Sequence, residues 1–463
     1  MHLNKIEGGE TMKLKDRNVL VVGIAKSGIP TVKTLSKLGA RITINDIKSR
    51  EELSNILDEI GHLCHNIILG CHPDKTEIYD LIVLSPGVPT QLSFLQRARE
   101  ENVNIIGELE LAFRLSKGKY LAITGTNGKT TTTALTGEIF KNAKCKTFVV
   151  GNIGLAAISK ALETTEDTIL VTEVSSFQLE TIETFRPKIS AILNITPDHL
   201  NRHGTMENYI DAKANIFRNQ DGNDILILNY DNDVTRKLAS RANCKVVFFS
   251  RKKILTEGVW VEDNNIVVKK DSIKEIICAI DDIYIVGKHN LENSLAAAAF
   301  AAYSGINVEV IKYTLKNFKG IEHRTEFVDE INGIRFYNDS KGTNPDASIK
   351  AVEGLKAPLI LIAGGMDKGG SFDEFVRAFD NKVKTLVLLG ETADKIKETA
   401  ERFGLKSIFI VRDMEEAVEK AYDNANEKDT ILLSPACASW DMYESFEVRG
   451  RHFKDCVHKL KGG

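Results

Sequence analysis

Between residues 124 and 131 the chain reads Thr124-Gly125-Thr126-Asn127-Gly128-Lys129-Thr130-Thr131. An apolar run at 120–123 precedes it and reads as a buried strand; a helical stretch follows. Strand, glycine-rich loop, Lys-Thr and helix together make a phosphate cradle. Backbone N–H groups and the helix N-terminus face an anion, Lys129 brings a mobile positive charge, and the Thr130 hydroxyl suits Mg²⁺. The expected ligand is a nucleoside triphosphate. The usual pattern has a glycine five positions before Gly128, where this chain has Ile123, so the loop is a shortened variant. The alternative is a tight turn that happens to carry Gly-Lys-Thr.

Other candidate groups also stand just past apolar runs. Glu173 ends the run 167–174, where a carboxylate completes a Mg²⁺ shell or is an ordinary solvated acid. Asp198-His199 follows the run 189–195. Mg²⁺ prefers oxygen, so the residues alone leave His199 open between structure, substrate contact and ligation. Asn338-Asp339-Ser340-Lys341-Gly342-Thr343-Asn344 opens a helix and is rich in capping residues, but a cap does not need Lys341, which suggests an anion. The loop 434–439 is built of small residues that let backbone approach a ligand; its Cys437 has no evident histidine partner for nucleophilic chemistry. The cluster His62, Cys64, His65, Cys71 and His72 fits no zinc spacing and is interrupted by a strand-like Ile67-Ile68-Leu69.

The elements that must position these groups alternate strand and helix along the chain. Strands are expected at 18–23, 41–46, 80–85, 167–174, 189–195, 224–229, 333–339, 358–363, 383–389, 407–411 and 430–433, with helices at 28–38 and 291–301. The pattern is α/β, three domains in series: a Rossmann-like N-terminal domain over 1–117, a central P-loop ATPase-type domain over 118–320 and a Rossmann-like C-terminal domain over 321–463. The first loop, 23–28, lacks the central glycine of a dinucleotide fingerprint; Asp46 stands where an acid meets a ribose, or else caps the next helix. A net charge of -3 over 463 residues gives no argument for nucleic acid or a membrane surface, and no apolar run spans a bilayer. Seven cysteines with no CxxC pair suggest reduced thiols in a cytoplasm, and residues 1–10 read as a disordered lead-in.

Taken together, the phosphate loop, Gly151-Asn152-Ile153-Gly154, the run from Glu173 to Glu180 and the run from Asn194 to Leu200 resemble the Mur ligases over nearly the whole chain. Asn338 to Asn344 and Leu433 to Ser439 are most similar to the branch that adds D-glutamate. The resemblance implies a cytoplasmic, monomeric, ATP-dependent amide ligase of peptidoglycan synthesis. Its partners are UDP-N-acetylmuramoyl-L-alanine and D-glutamate, with no nucleic acid and no membrane insertion; its cofactors are ATP and two Mg²⁺ ions. It implies Lys129, Glu173, His199, Lys213 and Lys341 as catalytic residues, with Thr130, Glu173, His199 and a carbamylated Lys213 holding metal. Without the resemblance Lys213 reads as a helix-surface lysine. The nucleotide contacts carried over are Gly125 to Thr131, Asn290, Asn293, His323, Arg324 and Asp339. Lys26, Ser27, Asp46, Ile47, Ser85, Gly87, Asn152 and His199 match the UDP-substrate site; Thr343, Lys368, Ser439 and Phe446 match the D-glutamate pocket. Three positions depart from the family's usual residues. Gly342 replaces an alanine and is expected to loosen its loop, Asn201 replaces an aspartate of structural role, and Lys26 leaves the uracil contacts open. Alternatives are a sister ligase, a folylpolyglutamate synthase and a nucleotide-binding switch without ligase chemistry.

Overall fold

The computed structural model describes residues 12–152, 154–367 and 369–461; the expected lead-in and Lys368 lie outside them. Among the described residues three sheets carry the fold. The first holds β1 Asn18–Val22, β2 Arg41–Asp46, β3 Asn66–Leu69, β4 Leu81–Leu84 and β5 Asn104–Gly107, in the order β3-β2-β1-β4-β5. All its pairings are parallel, with Leu20 opposite Thr43 on one side and Ile82 on the other. Such strands are covered on both faces and therefore read as continuous apolar runs. Val19, Val21, Ile42 and Ile44 pack to one side; Leu20, Val22, Ile82 and Leu84 pack to the other against Phe94 and Leu95.

The second sheet holds β6 Lys119–Thr124, β7 Thr147–Gly151, β8 Ile169–Glu173, β9 Ile189–Ile192, β10 Ile225–Asn229, β11 Lys245–Ser250, β12 Gly258–Glu262, β13 Asn265–Lys270 and β14 Ile273–Ala279. Its order is β14-β13-β12-β11-β10-β9-β6-β8-β7. The antiparallel β12–β14 meander was not expected from the sequence. Its two-residue turns are Asp263-Asn264 and Asp271-Ser272, all four residues at positive φ. Asn and Asp tolerate that conformation, and it matches the strand twist of a tight hairpin.

The third sheet holds β15 Glu326–Ile331, β16 Ile334–Asn338, β17 Leu359–Ala363, β18 Val383–Leu388, β19 Ile408–Ile410 and β20 Thr430–Leu433, in the order β15-β16-β20-β17-β18-β19. The expected strand at 333–339 is the second arm of a β15–β16 hairpin that turns at Asn332-Gly333, both at positive φ.

The chain packs as two compact units. One runs through Ile280 and includes Glu292–Leu315; the other comprises Asp281–Leu291 and the chain from Lys316 onward. The first unit contains the first two sheets, joined through the helix Glu108–Leu115. Its fully buried Glu110 accepts hydrogen bonds from the backbone N–H groups of Glu183, Thr184 and Phe185 and from Arg114 Nε, all at 2.8–2.9 Å. Burial alone raises a carboxyl's pKa, but the Thr184 hydroxyl and the Arg114 charge bring Glu110 below its ordinary value. Among the described residues no helix is long and apolar enough to cross a membrane.

Candidate active site

Ligands of open α/β sheets bind beyond the carboxyl ends of the strands, where strand order reverses. In the second sheet that edge brings together the loops after β6, β8 and β9. The phosphate loop leaves β6 at Gly125, with φ 153°, and enters the helix Lys129–Asn142 through Gly128, with φ 85°. A Cβ on Gly128 would lie 2.3 Å from Asn293 Oδ1, so the position is closed to larger residues by both space and backbone. We expect Gly128→Ala to cost roughly 1–3 kcal/mol in strain and to lower both the thermal midpoint and ATP affinity, readable by calorimetry.

Asn194, just past β9, clamps the loop. Its carbonyl accepts from Thr126 N at 2.9 Å, its Oδ1 accepts from Asn127 N at 2.9 Å, and its Nδ2 donates to Asn127 O at 3.1 Å. Lys129 Nζ donates to the carbonyls of Gly125 and Thr126, both at 2.9 Å, so its charge sits inside the cradle beside Thr130 and Thr131.

Glu173 ends β8, in register with Ile123 of β6. It is buried; Asn152 Nδ2 donates to Oε1 at 2.9 Å, while Oε2 is buried without a partner. An orphaned carboxylate oxygen next to the cradle fits a hard cation, and Mg²⁺ accepts such a donor together with a threonine hydroxyl. The next residues form a capping box. Ser175 Oγ accepts from Gln178 N, and Gln178 Oε1 accepts from Ser175 N. The Ser-x-x-Gln spacing carries that signal in the sequence.

His199 adopts a left-handed conformation with φ 52° and sits at the start of the short helix Leu200–His203. Its ring packs on Phe177, centroids 5.0 Å apart, and lies 3.6 Å from Asp198. Arg202 covers the other part of Phe177 and pairs with Glu180 at 2.7 Å. These supports of His199 were missed in the sequence.

Lys213 overturns the surface expectation. It is 1 % exposed on the helix Met206–Ala214, donates to Gly125 O at 2.9 Å and lies over the Tyr209 ring at 4.7 Å. Burial, together with the nearby Lys129 charge, brings its pKa down to about 7, against the pull of Asp198 and Glu173. A buried amine in that range is nucleophilic at neutral pH.

A cavity of about 520 Å³ opens at the switch point between β1 and β4. Lys26, Ser27, Asp46, Ile47, Ser85, Gly87 and Asn152 all line it; His199 does not. Asp46 caps no helix, since the next one begins at Ser54 behind Leu53; its Oδ2 instead accepts from Ile24 N at 3.0 Å across the loop. Ser27 and Ser85 hydroxyls bond at 2.9 Å. His72 also lines the cavity and stacks on Phe94, and among the described residues no metal-binding group includes the Cys/His cluster.

Glu108 lines the same cavity. Its Oε1 accepts from Ile158 N at 2.7 Å, and burial pushes its pKa up to about 7. Its folded pKa lies above that of an unfolded glutamate, so its stabilising contribution is present below the unfolded value, near 4.3, and is lost as pH rises through about 7. Glu108→Gln is expected to flatten the fall in thermal midpoint between pH 5 and pH 8.

In the second unit the loops after β16, β17 and β20 share one edge. Asn344 caps the helix Pro345–Gly354 through Ala347 N. Asp339 is buried; it accepts from Ser434 Oγ at 2.7 Å and Thr325 N at 3.0 Å, and burial raises its pKa to about 6 against those bonds and the Arg324 charge. Lys341 Nζ lies over the Phe446 ring at 5.6 Å, and His323 packs edge-on to the same ring at 6.1 Å. Gly342 does not loosen its loop. It is buried, and a Cβ there would sit 2.5 Å from Asp339 Oδ2. Thr343 N donates to Lys341 O, and Ser439 O accepts from Tyr443 N at 2.7 Å. Asn290 Nδ2 donates to Val286 O in this unit, whereas Asn293 belongs to the first and accepts from Thr132 Oγ1. Burial holds the Cys437 thiol up at about 11, unsuited to nucleophilic attack.

Residues 17–107 match the MurD-like N-terminal domain of Mur ligases, 123–301 the Mur ligase middle domain, and 323–437 the Mur ligase glutamate ligase domain. The UDP-N-acetylmuramoylalanine–D-glutamate ligase of Alkaliphilus oremlandii is 56% identical across 97% of this chain and its own full length. The chain belongs to the Mur ligase family. The enzyme of the same description from Clostridioides difficile is 54% identical over the same shares. Among solved structures, the UDP-N-acetylmuramate-alanine ligase MurC of Thermotoga maritima covers 96% of this chain and 99% of its own, with TM-score 0.58 and 20% identity. MurF of Acinetobacter baumannii covers 96% and 93%, with TM-score 0.61 and 16% identity. Both have the Mur ligase fold seen here, a three-domain mixed α/β fold built on parallel-rich sheets.

Proposed function

We propose that this chain is the Mur ligase that joins D-glutamate to UDP-N-acetylmuramoyl-L-alanine at the expense of ATP. The observation that carries the reading is the place of Asn152. It lines the cavity and also holds Glu173 beside the phosphate loop, so a substrate in that cavity abuts the ATP cradle. Identity above half with relatives named for this reaction supports the amino acid. The reading assigns 1–117 to the UDP-substrate, 118–320 to ATP and 321–463 to the amino acid, in a monomeric cytoplasmic enzyme.

A carboxylate is a poor acyl donor. Its oxygen attacks the γ-phosphorus of ATP, ADP leaves, and an acyl phosphate forms. The D-glutamate amine then attacks the acyl carbon, and the tetrahedral intermediate collapses with loss of inorganic phosphate and the amine proton. The protein's task is positioning and charge neutralisation. Lys129 neutralises the transferring phosphoryl group. Asn293, with Asn290, His323, Arg324 and Asp339, is read as holding the nucleotide. Thr130 and Glu173 would hold one Mg²⁺, and His199 with a carbamylated Lys213 a second. When bound, the ions supply positive charge to the phosphoryl and carboxylate oxygens. Lys341 is read as facing phosphate; Thr343, Lys368, Ser439 and Phe446 as receiving D-glutamate.

The test is ADP release with UDP-N-acetylmuramoyl-L-alanine, ATP and Mg²⁺, comparing D-glutamate with L-glutamate, L-alanine, L-lysine and diaminopimelate. Turnover with D-glutamate alone is expected. Turnover with another amino acid points to a sister ligase; no turnover with any points to a folate substrate or a binding module.

A further inference from the structure

Resting on the amino-acid pocket proposed above, we infer that Arg449 is the positioning residue of that pocket. Its guanidinium pins the backbone of the loop carrying Lys341 and Thr343 to the loop carrying Ser439. Arg449 lies on the helix Phe446–Lys459 and is 3 % exposed. Its Nε donates to Ser340 Oγ at 3.0 Å and its Nη2 to Ser340 O at 2.9 Å. On the other side Nη1 donates to Ala438 O and Nη2 to Cys437 O, both at 3.1 Å. One planar fork therefore holds both loops. The Ser340 hydroxyl in turn donates to Phe446 O at 2.8 Å, so the helix start joins the same knot.

Two further observations belong to this device. Gly365, just past β17, has φ 142°, and a Cβ there would lie 3.1 Å from Arg449 Nη1 and 2.3 Å from Ala438 O. The glycine leaves room for the guanidinium and for the backbone that it binds. Among the described residues the hydrogen bonds of Arg449 all end on neutral oxygens, none on a carboxylate. A buried cation so placed is costly, and burial accordingly lowers its pKa to about 10. A stability role alone is served as well by an apolar side chain. A pocket for a dicarboxylate, however, gains from a fixed positive charge behind it. Lysine offers a point charge and cannot span four acceptors in one plane.

The full-length protein with Arg449→Lys tests this. Because misplacing a bound group by about 1 Å costs on the order of 10²-fold, KM for D-glutamate is expected to rise ~10-fold or more. KM for UDP-N-acetylmuramoyl-L-alanine, whose cavity is in the other unit, is expected to stay within about twofold, with the thermal midpoint little changed. An unchanged KM for D-glutamate, or KM values for all substrates rising alike, overturns the role. Should the lysine variant lose its folded structure, Ser340→Ala decides. It keeps the charge and removes one arm of the knot, and the same selective rise in KM for D-glutamate supports the inference while its absence rejects it. If the unsubstituted chain turns over another amino acid, the pocket reading falls and this inference with it. If that chain uses D-glutamate and both variants keep its KM, only the positioning role falls.

Discussion

Lys129→Ala is expected to lower kcat roughly 10²–10³-fold or more, the loss typical of removing one charge-stabilising donor from a transition state. The ammonium is held between the Gly125 and Thr126 carbonyls, inside the loop that Asn194 fixes from the neighbouring strand end. On the proposed reading it is therefore already where negative charge would accumulate on the transferring phosphoryl group, with little reorganisation needed at the moment of reaction. KM for ATP is expected to change less than kcat, because Gly128 and the helix N-terminus retain their N–H donors. Lys129→Arg keeps the charge but not the fit and is expected to remain impaired. Single-turnover phosphoryl transfer separates the two effects; a wild-type rate in Lys129→Ala rejects the assignment.

The second large effect falls on Lys213. Lys213→Ala is expected to lose roughly 10²-fold or more of the activity and to regain part of it with formate or acetate. The physical argument begins with the misfit of the amine. Two lysines, Lys129 and Lys213, direct their Nζ atoms at the same carbonyl, Gly125 O, and repel one another as cations. Burial and that repulsion bring the Lys213 pKa down to about 7, so a substantial share of it is free of its proton near neutrality. On the proposed carbamate reading the unprotonated nitrogen would add to CO₂, a C–N bond would form, one proton would be lost, and a neutral amine beside Lys129 would become an anion. On that reading the orphaned Glu173 Oε2, with Thr130 and His199, would offer the remaining metal donors. A small carboxylate entering the space vacated in Lys213→Ala restores the anion. Near-normal activity of that variant without added acid contradicts the carbamate role.

Much of this was legible in the sequence because parallel strands announce themselves as apolar runs ending in loops, and the loops carry the chemistry. Glu173, the Gly125–Lys129 loop and Asp339 all stand at such ends. The seven expected residues among those that line the cavity also come from strand ends and their loops. The β12–β14 meander was illegible because its strands are half polar, and only the Asp263-Asn264 and Asp271-Ser272 turns marked it. The burial of Lys213 and Arg449 was illegible for a different reason. A charged side chain on a helix reads as solvated until the tertiary contacts that cover it are known, and those include residues more than 80 positions away for Lys213 and more than 100 for Arg449. Gly342 misled in the opposite direction. Its extra backbone freedom was visible, but the crowding by Asp339, Ser348 and Ser434 was not.

The central claim is that the carboxylate of the UDP-linked substrate is phosphorylated before the amine attacks. The direct measurement uses UDP-N-acetylmuramoyl-L-alanine carrying heavy oxygen in its carboxylate, with ATP, Mg²⁺ and D-glutamate, and follows the label by mass spectrometry. An acyl phosphate requires each inorganic phosphate released to carry one labelled oxygen from the substrate, with the other retained in the amide. Amide formed with unlabelled phosphate would contradict the account, because the carboxylate oxygen would then have left by a route that never passed through phosphorus.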